Sequence, residues 1–284
     1  MRLGINIGYR DSSGRPLDID GILQRARRIE DAGFDAIWQP DTLSRAVQPR
    51  PDALAYLTLA ASATTRVMLG TAVYIVPFRN PLDLAQRAMT LQLLSGGRLQ
   101  LGVGAGSDAV AHELGSVAYE GRFRILHRSV RTIRQLLHGE EVGDAFLDPW
   151  PEMGGPPNIL LGAWGSEISL NRAVRDYDGW ICSAGRTSLA VIRDAIRRYR
   201  DKGGTRAVVG TLPVDLSAPY TPLDPDEPFT LRCPPAAAAE RLAILAELGF
   251  DDVGLQKVDG VAKRWEADAS ADELASIRAL LPRR

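Results

Sequence analysis

Lysine is nearly missing from this 284-residue chain, in which 31 of 34 basic residues are arginine. The charges almost cancel, leaving a formal net charge of −1. No segment gathers Arg with interleaved aromatics, so no nucleic-acid partner is expected. The densest basic run, Arg193, Arg197, Arg198 and Arg200, falls at helical spacing and reads as a solvated helix face. Cysteine is scarce too. Cys182 and Cys233 stand far apart, which excludes a disulfide framework and a cysteine-based metal motif. The histidines, His112, His127 and His138, form no H-x-H or H-x-x-x-H pair and read as solvated helix or loop residues. No metal site is therefore expected, and a metal-dependent hydrolase is disfavoured. A G-x-S-x-G elbow is absent, which disfavours α/β-hydrolase chemistry. Long hydrophobic runs are missing as well, so no membrane span is expected. The apolar run within Met1 to Tyr9 is too short and wrongly flanked for a signal peptide. These absences point to a soluble, cytoplasmic protein.

Hydrophobic residues make up 45% of the chain, enough to bury a sizeable core. Short apolar runs alternate with longer amphipathic segments. The runs Arg2–Gly8, Ala36–Gln39, Val67–Tyr74, Leu99–Gly104, Asn158–Gly162, Gly179–Ser183, Ala207–Leu212 and Asp252–Gln256 read as strands. Most are rich in Val, Ile and Leu without polar alternation, as parallel strands covered on both faces are. Ile19, Ile22, Leu23, Ala26 and Ile29 form a helical stripe ending at Gly33. Further helices are read at Asp52–Ala63, Pro81–Leu94, Phe123–Leu137, Glu167–Arg175, Leu189–Arg200, Ala236–Leu248 and Ala271–Leu281, several stopping at a glycine. This repetition predicts an α/β fold, a single-domain (β/α)8 TIM barrel over residues 1–284 with loop insertions. An open doubly wound sheet is the alternative, because periodicity does not report closure. Two proline-rich stretches, Glu140–Pro157 and Leu216–Pro235, interrupt the pattern as lids or surface insertions.

The glycine-rich segment Gly102-Val103-Gly104-Ala105-Gly106-Ser107 ends the fourth strand, where missing side chains let backbone approach a ligand. It is G-x-G-x-G rather than G-x-G-x-x-G, and it does not open the first βαβ unit, so it is a weak nicotinamide signal. Its neighbours carry more. Ala32-Gly33-Phe34-Asp35-Ala36-Ile37-Trp38-Gln39-Pro40-Asp41 resembles the second-strand signature of the luciferase-like flavin- and deazaflavin-dependent oxidoreductases. Leu69-Gly70-Thr71-Ala72-Val73 with Pro77 and Asn80-Pro81 resembles their third strand. Thr90 to Arg98, running into Gly102–Gly106, resembles the next helix and strand. Leu161-Gly162-Ala163-Trp164-Gly165-Ser166 and Arg172 to Trp180 resemble the fifth-strand loop and the approach to the sixth strand.

The resemblance implies a barrel enzyme that uses deazaflavin F420 for hydride transfer to or from a small organic substrate. It also admits an FMN-dependent monooxygenase supplied by a separate reductase, or a non-catalytic flavin-binding barrel. It implies a homodimer. The cofactor site implied comprises Gly8, Asp41, Thr71, Ala72, Val73, Gly104, Ala105, Gly106, Gly162, Ala163, Trp164, Gly165 and Ser166, with a non-prolyl cis bond between Ala72 and Val73 backing the ring. Ser166 suits an N-cap, and the helix start at Gly165-Ser166 suits a cofactor phosphate. Asp41 can hydrogen-bond the ring or cap the following helix. Strand ends also offer Tyr9, Tyr74, Ser107, Ser183 and Arg186 to a pocket, with Tyr74 or Ser107 as the candidate catalytic proton donor and Trp164 as a pocket wall or core residue. Members that oxidise sugar-phosphate alcohols carry His after the Asp and Glu after the G-x-G. Thr42 and Ser107 stand there instead, removing a ready base and acid. His127-Arg128 replaces an Asp-Glu common in the fourth helix.

Overall fold

The computed structural model describes residues 1–11, 13–43, 50–259, 264–265 and 269–281. Parallel strands form its centre: β1 (Arg2–Ile5), β2 (Ala36–Gln39), β3 (Met68–Thr71), β4 (Leu99–Gly104), β5 (Asn158–Gly162), β6 (Gly179–Ser183), β7 (Ala207–Asp215) and β8 (Asp252–Asp259). Each strand pairs with the next, and β8 pairs in parallel with both β7 and β1. The ring is closed. It is a (β/α)8 barrel, and the open-sheet alternative falls. Around it lie α1 (Ile19–Asp31), α2 (Ala53–Ala63), α3 (Pro81–Leu94), α4 (Ala109–Leu114), α5 (Arg122–Leu137), α6 (Glu167–Asp176), α7 (Leu189–Asp201), α8 (Pro235–Glu247) and α9 (Ala271–Arg278). Among the described residues no helix is long and apolar enough to cross a membrane.

Local sequence explains the element ends. Asp18, Asp52, Asn80, Ser166, Ser188 and Ser270 each accept a backbone N–H from the first turn of the helix they precede. Gly203 and Gly249, just past α7 and α8, have φ of 88°, the left-handed turn that a Cβ disfavours. Two expected strands are shorter or broken. β1 stops at Ile5, after which Asn6 Oδ1 accepts the N–H of Gly8. The third run stops at Thr71, and Tyr74–Ile75 resumes pairing against Val103 and Gly104.

The barrel interior is a small core of its own, distinct from the larger layer between strands and helices. Ala36, Trp38, Ala72, Leu160, Ile181 and Val208 form it, with Met68 and Val73 packed against them. Trp38 fills the axis because its neighbours give way. A Cβ at Gly70 would overlap its ring, one at Gly4 would lie 2.5 Å from Cδ1, and one at Gly254 3.0 Å from Cδ1. The strands' N-terminal end is sealed by charge: Asp252, fully buried, pairs with Arg2 at 2.6 Å and Arg206 at 3.1 Å. That plug leaves the C-terminal end for ligands. Of the proline-rich stretches, the first contributes buried Met153, and the second returns through buried Phe229, Leu231 and Cys233 to pair with β7.

Candidate active site

The peptide bond between Ala72 and Val73 is cis, as the resemblance implies. Both side chains belong to the inner core. Val73 is wedged between two bare strand ends: a Cβ at Gly104 would lie 2.5 Å from its Cγ2, and one at Gly162 2.6 Å from its Cγ1. Ala72 Cβ lies 3.4 Å from where a Gly210 Cβ would stand. Ala72, Val73, Gly104 and Gly162 thus make a smooth apolar floor across β3, β4 and β5 at the barrel's C-terminal end. Thr71 does not contribute its hydroxyl to this floor, because it donates to the Gly102 carbonyl at 2.7 Å.

Asp41 neither caps the next helix nor stands free. Asp52 is the N-cap of α2, while Asp41 Oδ2 accepts the Ile75 N–H at 3.0 Å and pairs with Arg79 at 3.3 Å. Its own N–H donates to the Val73 carbonyl at 3.3 Å. Asp41 therefore fixes the segment just past the floor. Burial pushes its carboxyl above the usual range, a rise that the Ile75 N–H and Arg79 oppose. Tyr74 sits behind the same segment. Its hydroxyl donates to Asp52 Oδ2 at 2.8 Å and accepts from Arg79 Nε at 3.0 Å, and burial lifts its pKa to about 12. This hydroxyl is committed within the wall.

The glycine-rich turn has a support that its sequence did not announce. His112, read as solvated, is fully buried. Its Nε2 lies 3.0 Å from the Ala105 carbonyl, so that nitrogen carries the proton and donates. The ring packs against Phe78 at 4.5 Å and Tyr119 at 5.3 Å, tying Gly104–Gly106 to the segment after Tyr74. Next in the chain, exposed Ser107 accepts from Arg186 at 3.5 Å. Ser107 follows β4 and Arg186 follows β6, so their contact crosses the end of β5. Trp164, after β5, is 59% exposed and is a rim residue, not core.

Deeper polar atoms wait for partners. Among the described residues the buried Asn6 Nδ2, Tyr9 hydroxyl and Trp38 Nε1 have none. Donors without acceptors are rare in folded interiors and mark places where a ligand or water completes them. Sequence alone also missed Thr211. It has φ of 50°, unusual for a β-branched residue, at an irregularity where Val253 pairs Val209 but Leu255 pairs Leu212. The bulge aims its hydroxyl at Ser183, 2.9 Å away. At the start of α6, Ser166 accepts the Ser169 N–H, and Gly165 leaves the room that Ala195 of α7 needs, 2.6 Å from a would-be Cβ. Arg198 is not simply solvated: it donates to the Gly165 carbonyl at 2.9 Å and pairs with Glu167 at 3.1 Å. The exposed first turn of α6 is thus held rigid beside the floor, as a phosphate cradle needs.

The chain is 29% identical, over 98% of its length and 89% of the relative's, to an F420-dependent glucose-6-phosphate dehydrogenase of Amycolatopsis mediterranei. Its fold matches an F420-dependent secondary alcohol dehydrogenase in complex with an F420-acetone adduct, at a TM-score of 0.73 with 17% identity, over 99% of this chain and 98% of that one. It also matches the oxygenating constituent of 3,6-diketocamphane monooxygenase from Pseudomonas putida in complex with FMN, at a TM-score of 0.72 with 16% identity, over 98% and 95% of the two chains. The profile of the family described as luciferase-like monooxygenase matches residues 1–214. This chain belongs to the luciferase-like monooxygenase family.

Proposed function

We propose that the protein is an F420-dependent oxidoreductase that reduces a small unsaturated or carbonyl substrate. The observation that carries the reading is the apolar floor of Ala72 and Val73 pressed into Gly104 and Gly162, open to one side and flanked by a rigid helix start. The residues fit a flat tricyclic cofactor with a phosphate-bearing tail. Ala72 and Val73 would back the ring, Gly104, Ala105 and Gly106 would admit its edge, and Gly165 and Ser166 would meet its phosphate. Asn6 Nδ2 remains as a buried donor for a polar atom. When bound, F420 would supply a carbon-centred hydride donor or acceptor.

The chain's own residues narrow the substrate class. Oxidising an alcohol calls for a base to take the hydroxyl proton. Thr42 accepts from Arg50 at 3.0 Å and Ser107 from Arg186 at 3.5 Å, and neither hydroxyl is a base. A guanidinium beside a hydroxyl suits the reduction of an unsaturated ketone. It steadies negative charge growing on a substrate oxygen while the hydroxyl supplies a proton. Ser107 is the favoured donor over Tyr74, whose hydroxyl is held in the wall. The named activity of the relatives, glucose 6-phosphate oxidation, is therefore not transferred here. Residues 1–284 act as one domain, as a homodimer, with a separate reductase regenerating the reduced cofactor.

The test is a fluorescence titration of apo protein with F420 and FMN, followed by turnover. Binding of F420, with reduced F420 consumed by an unsaturated ketone and oxidised F420 left untouched by glucose 6-phosphate, is the expected result. Tight binding of FMN alone would replace the reading with oxygen activation. Binding of neither by folded protein would refute it.

A further inference from the structure

A second site lies at the opposite end of the barrel. Asp178 immediately precedes β6, so its surroundings sit at the N-terminal ends of the strands, away from Ser107 and the glycine turn. There a groove of about 340 Å3 opens between α5 and α6. His127, Arg131 and Arg134 line it from α5, at positions i, i+4 and i+7 of one face, and Arg172 and Arg175 line it from α6.

The charges in it do not cancel. Asp176 is taken by Arg175, with two contacts of 2.7 Å, and Asp178 by Arg134 at 3.0 Å. Arg172 reaches Asp176 only at 3.6 Å, where the carboxylate is already engaged. Arg131 has no hydrogen bond or ion pair among the described residues, and its side chain is exposed at the groove. Four guanidiniums thus face two carboxylates in the groove. His127 lines the groove as a neutral ring, its Nδ1 2.7 Å from the Tyr177 hydroxyl and its pKa held at about 4 by burial and Arg172.

We infer that the α5–α6 groove binds a phosphate monoester, the phosphate held by Arg131 and Arg172 with His127 beside it. Guanidinium forks match phosphate oxygens bidentately, and a net excess of two positive charges matches one dianion. The volume lies near the lower limit of small-molecule sites, too small for a folded partner and larger than the phosphate group alone needs. The site needs no part of the redox reading, and failure of that reading leaves it standing.

His127 is its own reporter, because the chain has only three histidines. Protein labelled with nitrogen-15 histidine is titrated with glycerol phosphate and with inorganic phosphate, with sodium chloride at matched ionic strength as the control. A saturating shift of the His127 ring signals is expected, while those of His112, packed under Ala105 at the other end, stay fixed. Arg131→Ala and Arg172→Ala should each weaken binding by about tenfold, and Arg193→Ala on α7 should not. Both side chains lie on helix surfaces, and Arg131→Gln serves as a second variant whose effect should match Arg131→Ala. The inference is overturned if His127 stays unmoved at about 10 mM of either phosphate probe. It is equally overturned if chloride reproduces the shift, or if Arg131→Ala and Arg172→Ala bind as tightly as the parent.

Discussion

Adding one methyl group to the floor separates its support from its function. In Gly104→Ala the new Cβ would stand 2.5 Å from Val73 Cγ2, and nothing else but Val73 Cβ, at 3.5 Å, lies nearby. Val73 must retreat by about 1 Å to recover ordinary contact, a typical overpacking cost of about 1–3 kcal/mol. Gly162 prevents an easy swing, since Cγ1 already occupies the space over it at 2.6 Å. The isopropyl group therefore moves toward the open side, where free protein offers no resistance. Chemical denaturation of apo protein should show a loss below about 1 kcal/mol. The remaining cost should appear on binding, where about 1–3 kcal/mol is about a 5- to 150-fold weaker Kd for F420 by fluorescence titration. The opposite pattern, a clear stability loss with unchanged affinity, would mean that Val73 was pushed inward and that the cofactor does not rest on it.

Gly70→Ala drives a methyl into the Trp38 ring at the barrel axis. Urea unfolding should register a loss of about 1–3 kcal/mol or more, and an unchanged midpoint would disprove the packing argument. Tyr74→Phe removes a hydroxyl bonded to Asp52 and Arg79. A stability loss of about 1–2 kcal/mol with turnover nearly intact is expected, and a hundredfold fall in kcat would make Tyr74 the proton donor after all. Ser107→Ala should lower kcat by about tenfold to a hundredfold with little change in cofactor affinity, and parental turnover would remove Ser107 from the chemistry. His127, half-buried with a pKa of about 4 against an ordinary 6.5, makes folding acid-sensitive. The unfolded chain takes up that proton first, so the ring's contribution is intact above about pH 6.5 and is lost as pH falls toward about 4. Near pH 5 the gap amounts to about 2 kcal/mol, which solvent screening reduces to about 1. In phosphate-free buffer, His127→Gln should lose about 1 kcal/mol less than the parent between pH 7.5 and 5, and parallel pH profiles would refute this origin.

The barrel was legible because its strands are continuous apolar runs that only a sheet covered on both faces tolerates, and its helices carry stripes and caps. All eight runs became strands, with ends that moved where tertiary contacts decided them. β7 runs on to Asp215 because Leu231–Arg232 returns from the proline-rich stretch to pair with it. The short α4 escaped notice because six residues do not establish a period. Site residues were less visible. The Ala72–Val73 bond came from resemblance, not from any local property of two common residues. His112 read as a solvated helix or loop residue, since Phe78 and the Ala105 carbonyl approach it only in the folded chain. Thr211 carries no mark of its positive φ, because the bulge that imposes it is set by register with β8. Asp41 was singled out as a partner for the ring or a helix cap, but its partners Arg79 and Ile75 lie more than thirty residues away and were not legible in the sequence.

The two departures from the sugar-phosphate-oxidising pattern acquire a common meaning once their partners are known. Each places a hydroxyl against an arginine: Thr42 with Arg50 and Ser107 with Arg186. A guanidinium lowers the basicity of whatever lies beside it, so a carboxylate introduced at position 107 would be held ionised but paired, a weak base. The same guanidinium favours any state in which negative charge gathers nearby. Hydride delivered to an unsaturated ketone creates such a state on the substrate oxygen. By microscopic reversibility Arg186 lowers the barrier of a carbonyl–alcohol interconversion equally in both directions, so what the site lacks for alcohol oxidation is a base to take the hydroxyl proton. The two hydroxyl–guanidinium pairs therefore leave the proposed site suited to stabilising negative charge and short of a proton acceptor, with the floor on which the cofactor would rest undisturbed.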